Sequence, residues 1–209
     1  MRKYLKFWAY LVVVIFVSSA DADAKDEYFK ALEIDAPHIV SRLLVGGLDP
    51  NQRDEQGQVG LYLALRASSL KAAEALLAHP RLDIDAVNPA GETPMMMAAL
   101  RGNLEFTRRL LDRGAGLHRE GWTPLHYAAS SPEPGVVSLL LDRGARIDAR
   151  SPNGTTPLMM AARYGAIDAA DLLRQRGADA SLRNDLGLSA ADFAAAAGRD
   201  DLAARLMPR

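Results

Sequence analysis

Three heptapeptides recur in this chain almost unchanged: Thr93-Pro94-Met95-Met96-Met97-Ala98-Ala99, Thr123-Pro124-Leu125-His126-Tyr127-Ala128-Ala129 and Thr156-Pro157-Leu158-Met159-Met160-Ala161-Ala162. Their starts lie 30 and 33 residues apart, a period that marks stacked supersecondary units. The threonine stands where a helix N-cap is wanted, because its hydroxyl can accept from an orphan N–H of the first turn. Proline follows at the first helical position, where its missing N–H costs nothing. The next residue (Met95, Leu125 or Leu158) is apolar and expected to face inward, and the Ala-Ala pair is small enough to let a neighbouring helix approach. A second amphipathic run comes next, such as Val136 to Leu141 or Ala169 to Leu173, closing on Arg113-Gly114-Ala115, Arg143-Gly144-Ala145 or Arg176-Gly177-Ala178. The glycine suits a left-handed C′ residue and the arginine the negative end of the helix dipole. The polar stretch Arg146 to Gly154 then reads as an extended finger with a tight turn.

The Thr-Pro-Leu-His-x-Ala pattern at this period resembles the ankyrin repeat family. The resemblance implies an all-α repeat solenoid of stacked helix-turn-helix ankyrin repeats with β-turn fingers, covering nearly every residue after about position 25. It places an N-terminal cap at about 25–56, repeats at about 57–90, 91–120, 121–153 and 154–186, and a C-terminal cap at 187–209. Thr93, Pro94, Thr123, Pro124, Thr156 and Pro157 are then structural residues. His126 is the motif histidine, which the resemblance implies orders neighbouring fingers through backbone hydrogen bonds. The pattern weakens toward the ends: Val59-Gly60 replaces Thr-Pro, and the last unit starts at Leu188-Ser189-Ala190. Atypical terminal repeats are expected where a stack is capped.

The N-terminus differs in kind. Arg2, Lys3 and Lys6 precede an uninterrupted apolar run, Phe7 to Val17, and small residues follow at Ala20, Ala22 and Ala24. This is expected to be a secretory signal peptide over residues 1–22, cleaved after one of those alanines. A spanning helix needs about 20 apolar residues and this run has 11, so cleavage is the expectation and an uncleaved inner-membrane anchor the alternative. The resulting expectation is a periplasmic or secreted protein without stable membrane insertion, and a monomer. The chain has 0 cysteines, which removes disulfides, thiolate metal sites, thiol catalysis and lipid attachment at cysteine. Loss of residues 1–20 takes the net charge from −1 to −4. The arginines are scattered among aspartates and form no basic stripe, so nucleic acid is not an expected partner.

No catalytic constellation is legible. His38, His79, His118 and His126 lack the spacing of a helical zinc site. No nucleophile elbow or phosphate loop is present. The methionines of the heptapeptides are soft ligands in principle, but at first-helix positions they read as filler between stacked helices. Asn153-Gly154-Thr155 matches a glycosylation sequon and reads instead as a finger turn. No enzyme activity, cofactor or metal is expected.

The function expected from the resemblance is protein–protein interaction through a concave face of finger tips and first helices. Carried onto this chain, the family's variable positions are Gln58 and Arg66, then Glu92, Leu100 and Arg101, then Glu120, Trp122, Ser130 and Ser131, then Asn153, Thr155, Arg163 and Tyr164. Trp122, Arg101, Arg163 and Tyr164 are of the types enriched in binding hot spots. Two irregularities single out the centre. The finger from Gly114 to Gly121 is three residues shorter than the one from Gly144 to Gly154, which is expected to notch the face beside Trp122. Ser131-Pro132-Glu133-Pro134-Gly135 is expected to act as a stiff linker between helices. The partner is another protein. Narrower alternatives are an immunity or inhibitor protein neutralising an exported toxic enzyme, and an envelope oxidative-stress protection factor.

Overall fold

The computed structural model describes residues 22–207. The expected signal segment lies outside these residues except at Ala22, which with Ala24 falls in the first turn of helix α1. Twelve helices and no extended strand occur among the described residues. They divide into two compact units that meet in sequence at Asp83 and Ile84, inside the stretch expected to form the first full repeat.

The first unit holds α1 (22–33), α2 (Pro37–Val45), α3 (Gly60–Arg66) and α4 (Leu70–Leu77). It explains the missing Thr-Pro pair. Tyr28 of α1 is fully buried, and its hydroxyl donates to the Pro50 carbonyl at 3.1 Å. A Cβ added at Gly60 would run into that hydroxyl. Glycine is therefore needed where the other repeats carry proline, and Val59 has no side-chain oxygen with which to cap. The start of α4 is served from another element: Asp35, in the turn after α1, accepts from the Ala72 N–H at 2.8 Å.

The second unit holds α5 (Pro94–Leu100), α6 (Leu104–Asp112), α7 (Pro124–Ala129), α8 (Pro134–Asp142), α9 (Pro157–Arg163), α10 (Ile167–Gln175), α11 (Ala190–Ala196) and α12 (Asp200–Leu206). The odd-numbered helices form one row, α5 on α7 on α9 on α11, and each packs on the helix that follows it in sequence. The heptapeptides drive this. Ala98, Ala99, Ala128, Ala129, Ala161 and Ala162 have 0% exposure, so backbones meet closely across the row. In the second row Leu110, Leu140 and Leu173 are equally buried. The Arg-Gly-Ala stops behave as read: Gly114, Gly144 and Gly177 take φ of +88°, +91° and +96°. The arginines do more than face a dipole. Arg143 pairs with Asp112 at 2.9 Å and Arg176 with Asp142 at 2.8 Å, and Arg205 inside α12 continues this ladder between successive outer helices with Asp171 at 2.9 Å.

The capping residues follow the heptapeptides with one informative variation. Thr93 and Thr156 accept from the N–H of Met96 and Met159 at 3.3 and 3.4 Å. In return, the thioether sulfurs of Met96 and Met159 accept the threonine N–H groups at 3.4 Å. Met95, Met96 and Met159 are buried, as filler residues should be. At α11 the pair is Ser189 and Asp192, and hydrogen bonds from the Ser189 hydroxyl and N–H hold the Asp192 carboxyl below its usual range, with Arg183 adding to the effect.

The expected stiff linker is corrected in its effect. Pro134 sits at the first position of α8, and Glu133 caps that helix by accepting from the Gly135 N–H at 3.0 Å. The second helix begins 11 residues after the cap threonine in all three repeats, at Leu104, Pro134 and Ile167. The prolines thus build a turn in the ordinary register. Gly165 in the next turn is held against it, for a Cβ there would overlap the Ala129 carbonyl.

Candidate functional site

Four fingers are closed by a side chain five residues before the helix cap. Asp54 accepts from Gln56 and Gln58 N–H at 2.9 and 2.7 Å. Asn88 accepts from Ala90 and Glu92 at 3.0 and 2.9 Å. Asn184 accepts from Leu186 and Leu188 at 3.1 and 2.9 Å, and the Ser151 hydroxyl accepts from Thr155 at 3.0 Å. The sequon residues are part of this last turn, with Gly154 at φ +74°. In the short finger His118 holds the corresponding place, and the turn is not closed in this way.

Beside this finger the odd-numbered helices of the second unit leave a cavity of about 410 Å³ lined by Leu100, Trp122, His126, Tyr127, Ser130, Met160 and Tyr164. The wall is mostly apolar, and its inner polar atoms are already engaged. The Tyr127 hydroxyl donates to Glu92 at 2.8 Å, and the Ser130 hydroxyl donates to the His126 carbonyl at 3.0 Å. His126 has 0% exposure. Its Nδ1 lies 2.9 Å from the Thr123 hydroxyl and also faces the Thr123 N–H. Its Nε2 lies 3.0 Å from the Thr155 carbonyl in the next finger. Burial pushes its pKa down to about 4, against the opposing pull of the Thr155 and Ala149 carbonyls. The imidazole is therefore neutral at pH 7 and acts as a strut and a wall. The Trp122 ring meets it edge to face at 5.2 Å and 77°. Trp122 thus packs on its own motif histidine and lines the cavity at once. Tyr164 is 57% exposed, and the Arg163 guanidinium lies 5.3 Å from its ring centroid. Such a depression suits an inserted apolar or aromatic side chain, for large rigid rings give contact area at low entropic cost.

The expected contact residues separate into groups. Leu100, Trp122, Ser130 and Tyr164 line the cavity. Arg101 and Arg163 are exposed at the ends of α5 and α9, and Asn153 is exposed in its finger turn. Glu92 is half-buried beneath Tyr127. Gln58 and Arg66 belong to the first unit. Two assignments are corrected. Ser131 and Thr155 are buried at 0% and 2% exposure: the Ser131 hydroxyl accepts from Glu133 N–H and the Thr155 backbone is tied to Ser151 and His126. Neither offers its side chain to a partner. Tyr127 and Met160 were not among the expected contact residues, yet both line the cavity. They share the fifth place of the heptapeptide, and that repeated apolar position is the signal that marks them.

A second opening lies where the short finger falls back. It measures about 680 Å³ and is lined by Arg119, Glu120, Gly121, Arg146, Ile147, Asp148, Ala149 and Arg150. This is the expected notch, and Glu120 belongs to it. No helix among the described residues is long and apolar enough to cross a membrane.

A family model described as "Ankyrin repeats (3 copies)" matches residues 28–119, 80–151, 118–184 and 136–209. Protein phosphatase 1 regulatory subunit 27 of Mus musculus is 32% identical over 93 residues, 43% of this chain and 60% of its own length. The human protein of that name is 32% identical over 110 residues, covering 51% of this chain and 62% of the relative. Palmitoyltransferase AKR1 of Lachancea kluyveri is 29% identical over 161 residues, 69% of this chain but 21% of its own length. The chain therefore spans less than two thirds of each of these relatives.

Proposed function

Since the chain belongs to the ankyrin repeat family, we propose that it is an exported protein–protein interaction module, held outside the cytoplasm after loss of residues 1–22, that binds one partner protein and performs no catalysis of its own. The observation that carries this reading is the apolar cavity between Leu100, Trp122, Tyr127, Met160 and Tyr164. Its inner polar groups are engaged within the protein, so it takes up an apolar side chain and leaves the Trp122 indole N–H and Tyr164 hydroxyl as handles. The positive n-region and apolar run of residues 2–17 support export.

A narrower version is an inhibitor or immunity protein that covers the active site of an exported enzyme. A family relative named as a regulatory subunit of a phosphatase supports the idea that such a stack regulates an enzyme by contact.

The test is capture of the tagged chain from the envelope of its native host, with Tyr164→Ala as a parallel bait. The expected result is one stoichiometric partner held by the parent chain and depleted from the variant, with an N-terminus after Ala20, Ala22 or Ala24. Equal recovery on both baits would overturn the cavity as the contact point, and an intact N-terminus would overturn cleavage.

A further inference from the structure

The 680 Å³ opening beside the short finger has its own chemistry. Its charged walls are Arg119, Arg146 and Arg150 against Glu120 and Asp148. Asp148 is already engaged, accepting from the Asp179 N–H at 3.1 Å. Arg150 is anchored by the Arg183 carbonyl at 2.9 Å and Asp185 at 3.8 Å. The Arg119 and Arg146 guanidinium groups have no ion pair or hydrogen bond among the described residues, the Arg146 carbonyl alone accepting from the Ala149 N–H at 3.2 Å, whereas Arg143, Arg176 and Arg205 of the outer ladder are all paired. The backbone of the same finger is also open. Gly116 N–H reaches Asp85 at 3.0 Å, but none of the N–H groups of residues 117–121 meets an acceptor among the described residues. A full finger would cover this space with its own turn.

We propose that this gap is a second subsite of the interface, which seats an extended acidic segment of the partner protein: main-chain groups pair with the open finger at residues 117–121, and a carboxylate lies between Arg119 and Arg146. It rests on the reading of the chain as a protein-binding module. Open backbone gives an extended peptide its hydrogen bonds, and neighbouring side chains choose its sequence. Paired guanidinium groups select carboxylates by charge-assisted hydrogen bonds. The gap differs in kind from the aromatic cavity, so each contributes a separate element of recognition.

The probe is a fluorescein-labelled peptide of alternating aspartate and valine, titrated by anisotropy against the full chain, with a peptide bearing asparagine for aspartate as its neutral twin. The peptide carries no aromatic residue, so it leaves the cavity reading to its own test. The expected result is binding of the acidic peptide alone, weakened by salt and lost by about tenfold or more in Arg119→Glu/Arg146→Glu. Arg176→Glu/Arg205→Glu, which reverses as many charges on the outer ladder, controls for global charge and retains binding. A second variant that inserts Asp-Ala-Arg after Leu117 to rebuild a full finger also loses the peptide. Equal binding of the two peptides, unchanged binding in both variants, or binding of inorganic phosphate in place of the peptide would overturn the proposal.

Discussion

The repeat around α7 and its neighbours around α5 and α9 share a backbone and part company in three places. Where the neighbours carry Met96 and Met159, it carries His126. All three side chains receive the N–H of the cap residue, but only the imidazole has a second end, which reaches the Thr155 carbonyl of the next finger. Where the neighbours turn on Gly102 and Gly165, it turns on Pro132-Glu133-Pro134 in the same register. Where the fingers leading into α5 and α9 are closed by Asn88 and Ser151, the one leading into α7 is short and open. The first two differences keep the stack intact while changing what holds it. The third removes cover from the protein surface. The cavity and the gap both lie at this repeat, so the place where the pattern is least regular is the place with most to offer a partner.

Acid separates this repeat from its neighbours most strongly. His126 in the folded chain has a pKa of about 4, against 6.5 when exposed. As pH falls through this window the unfolded chain takes up the proton first. The histidine's contribution is thus full above pH 6.5 and lost as pH approaches 4, a difference of about 3 kcal/mol. Urea unfolding across that range is expected to show this loss in the parent chain and to lack it in His126→Met, which copies the neighbouring repeats. A parallel decline in both would assign the acid sensitivity to other groups.

Gly165→Ala addresses the turn. Its new Cβ would press on the Ala129 carbonyl, and overpacking of this kind costs about 1–3 kcal/mol. Thermal unfolding should show a clear fall in Tm. At neutral pH, His126→Met restores the local sulfur contact but leaves the Thr155 carbonyl without its cross-finger donor, at a cost of about 1–2 kcal/mol. The smallest effect belongs to the outer ladder, which the three repeats have in common. Arg176→Ala removes an exposed pair with Asp142 and a contact to Ser138, worth below about 1 kcal/mol and reduced further by salt.

Much of the fold was legible because the heptapeptides state their geometry locally: a cap, a proline at the first helical position, and alanines where helices touch. The departure at Val59-Gly60 was visible, but its cause was not, since Tyr28 lies 32 residues away in sequence. The short finger is legible by counting residues, and the arginines that line its gap are not, because only the stacking of fingers brings Arg119 and Arg146 to one opening. The contact face was read in part. Trp122, Leu100 and Tyr164 were named from family positions and do line the cavity. Ser131 and Thr155 depart from expectation because a position just outside a helix can be solvent-facing in one repeat and tied into a finger or turn in the next. Tyr127 and Met160 are hidden in the sequence because apolar residues at helical spacing read as core.

The aromatic cavity is the proposed anchor of the interface. The most direct test is calorimetric titration of the captured partner against the parent chain, Trp122→Ala and Asn153→Ala. A hot spot carries roughly 2 kcal/mol or more, so Trp122→Ala is expected to weaken binding by about thirtyfold, while Asn153→Ala at an exposed finger turn stays within about threefold. Undiminished affinity in Trp122→Ala, or an equal loss in Asn153→Ala, would remove the cavity from its role as the anchor.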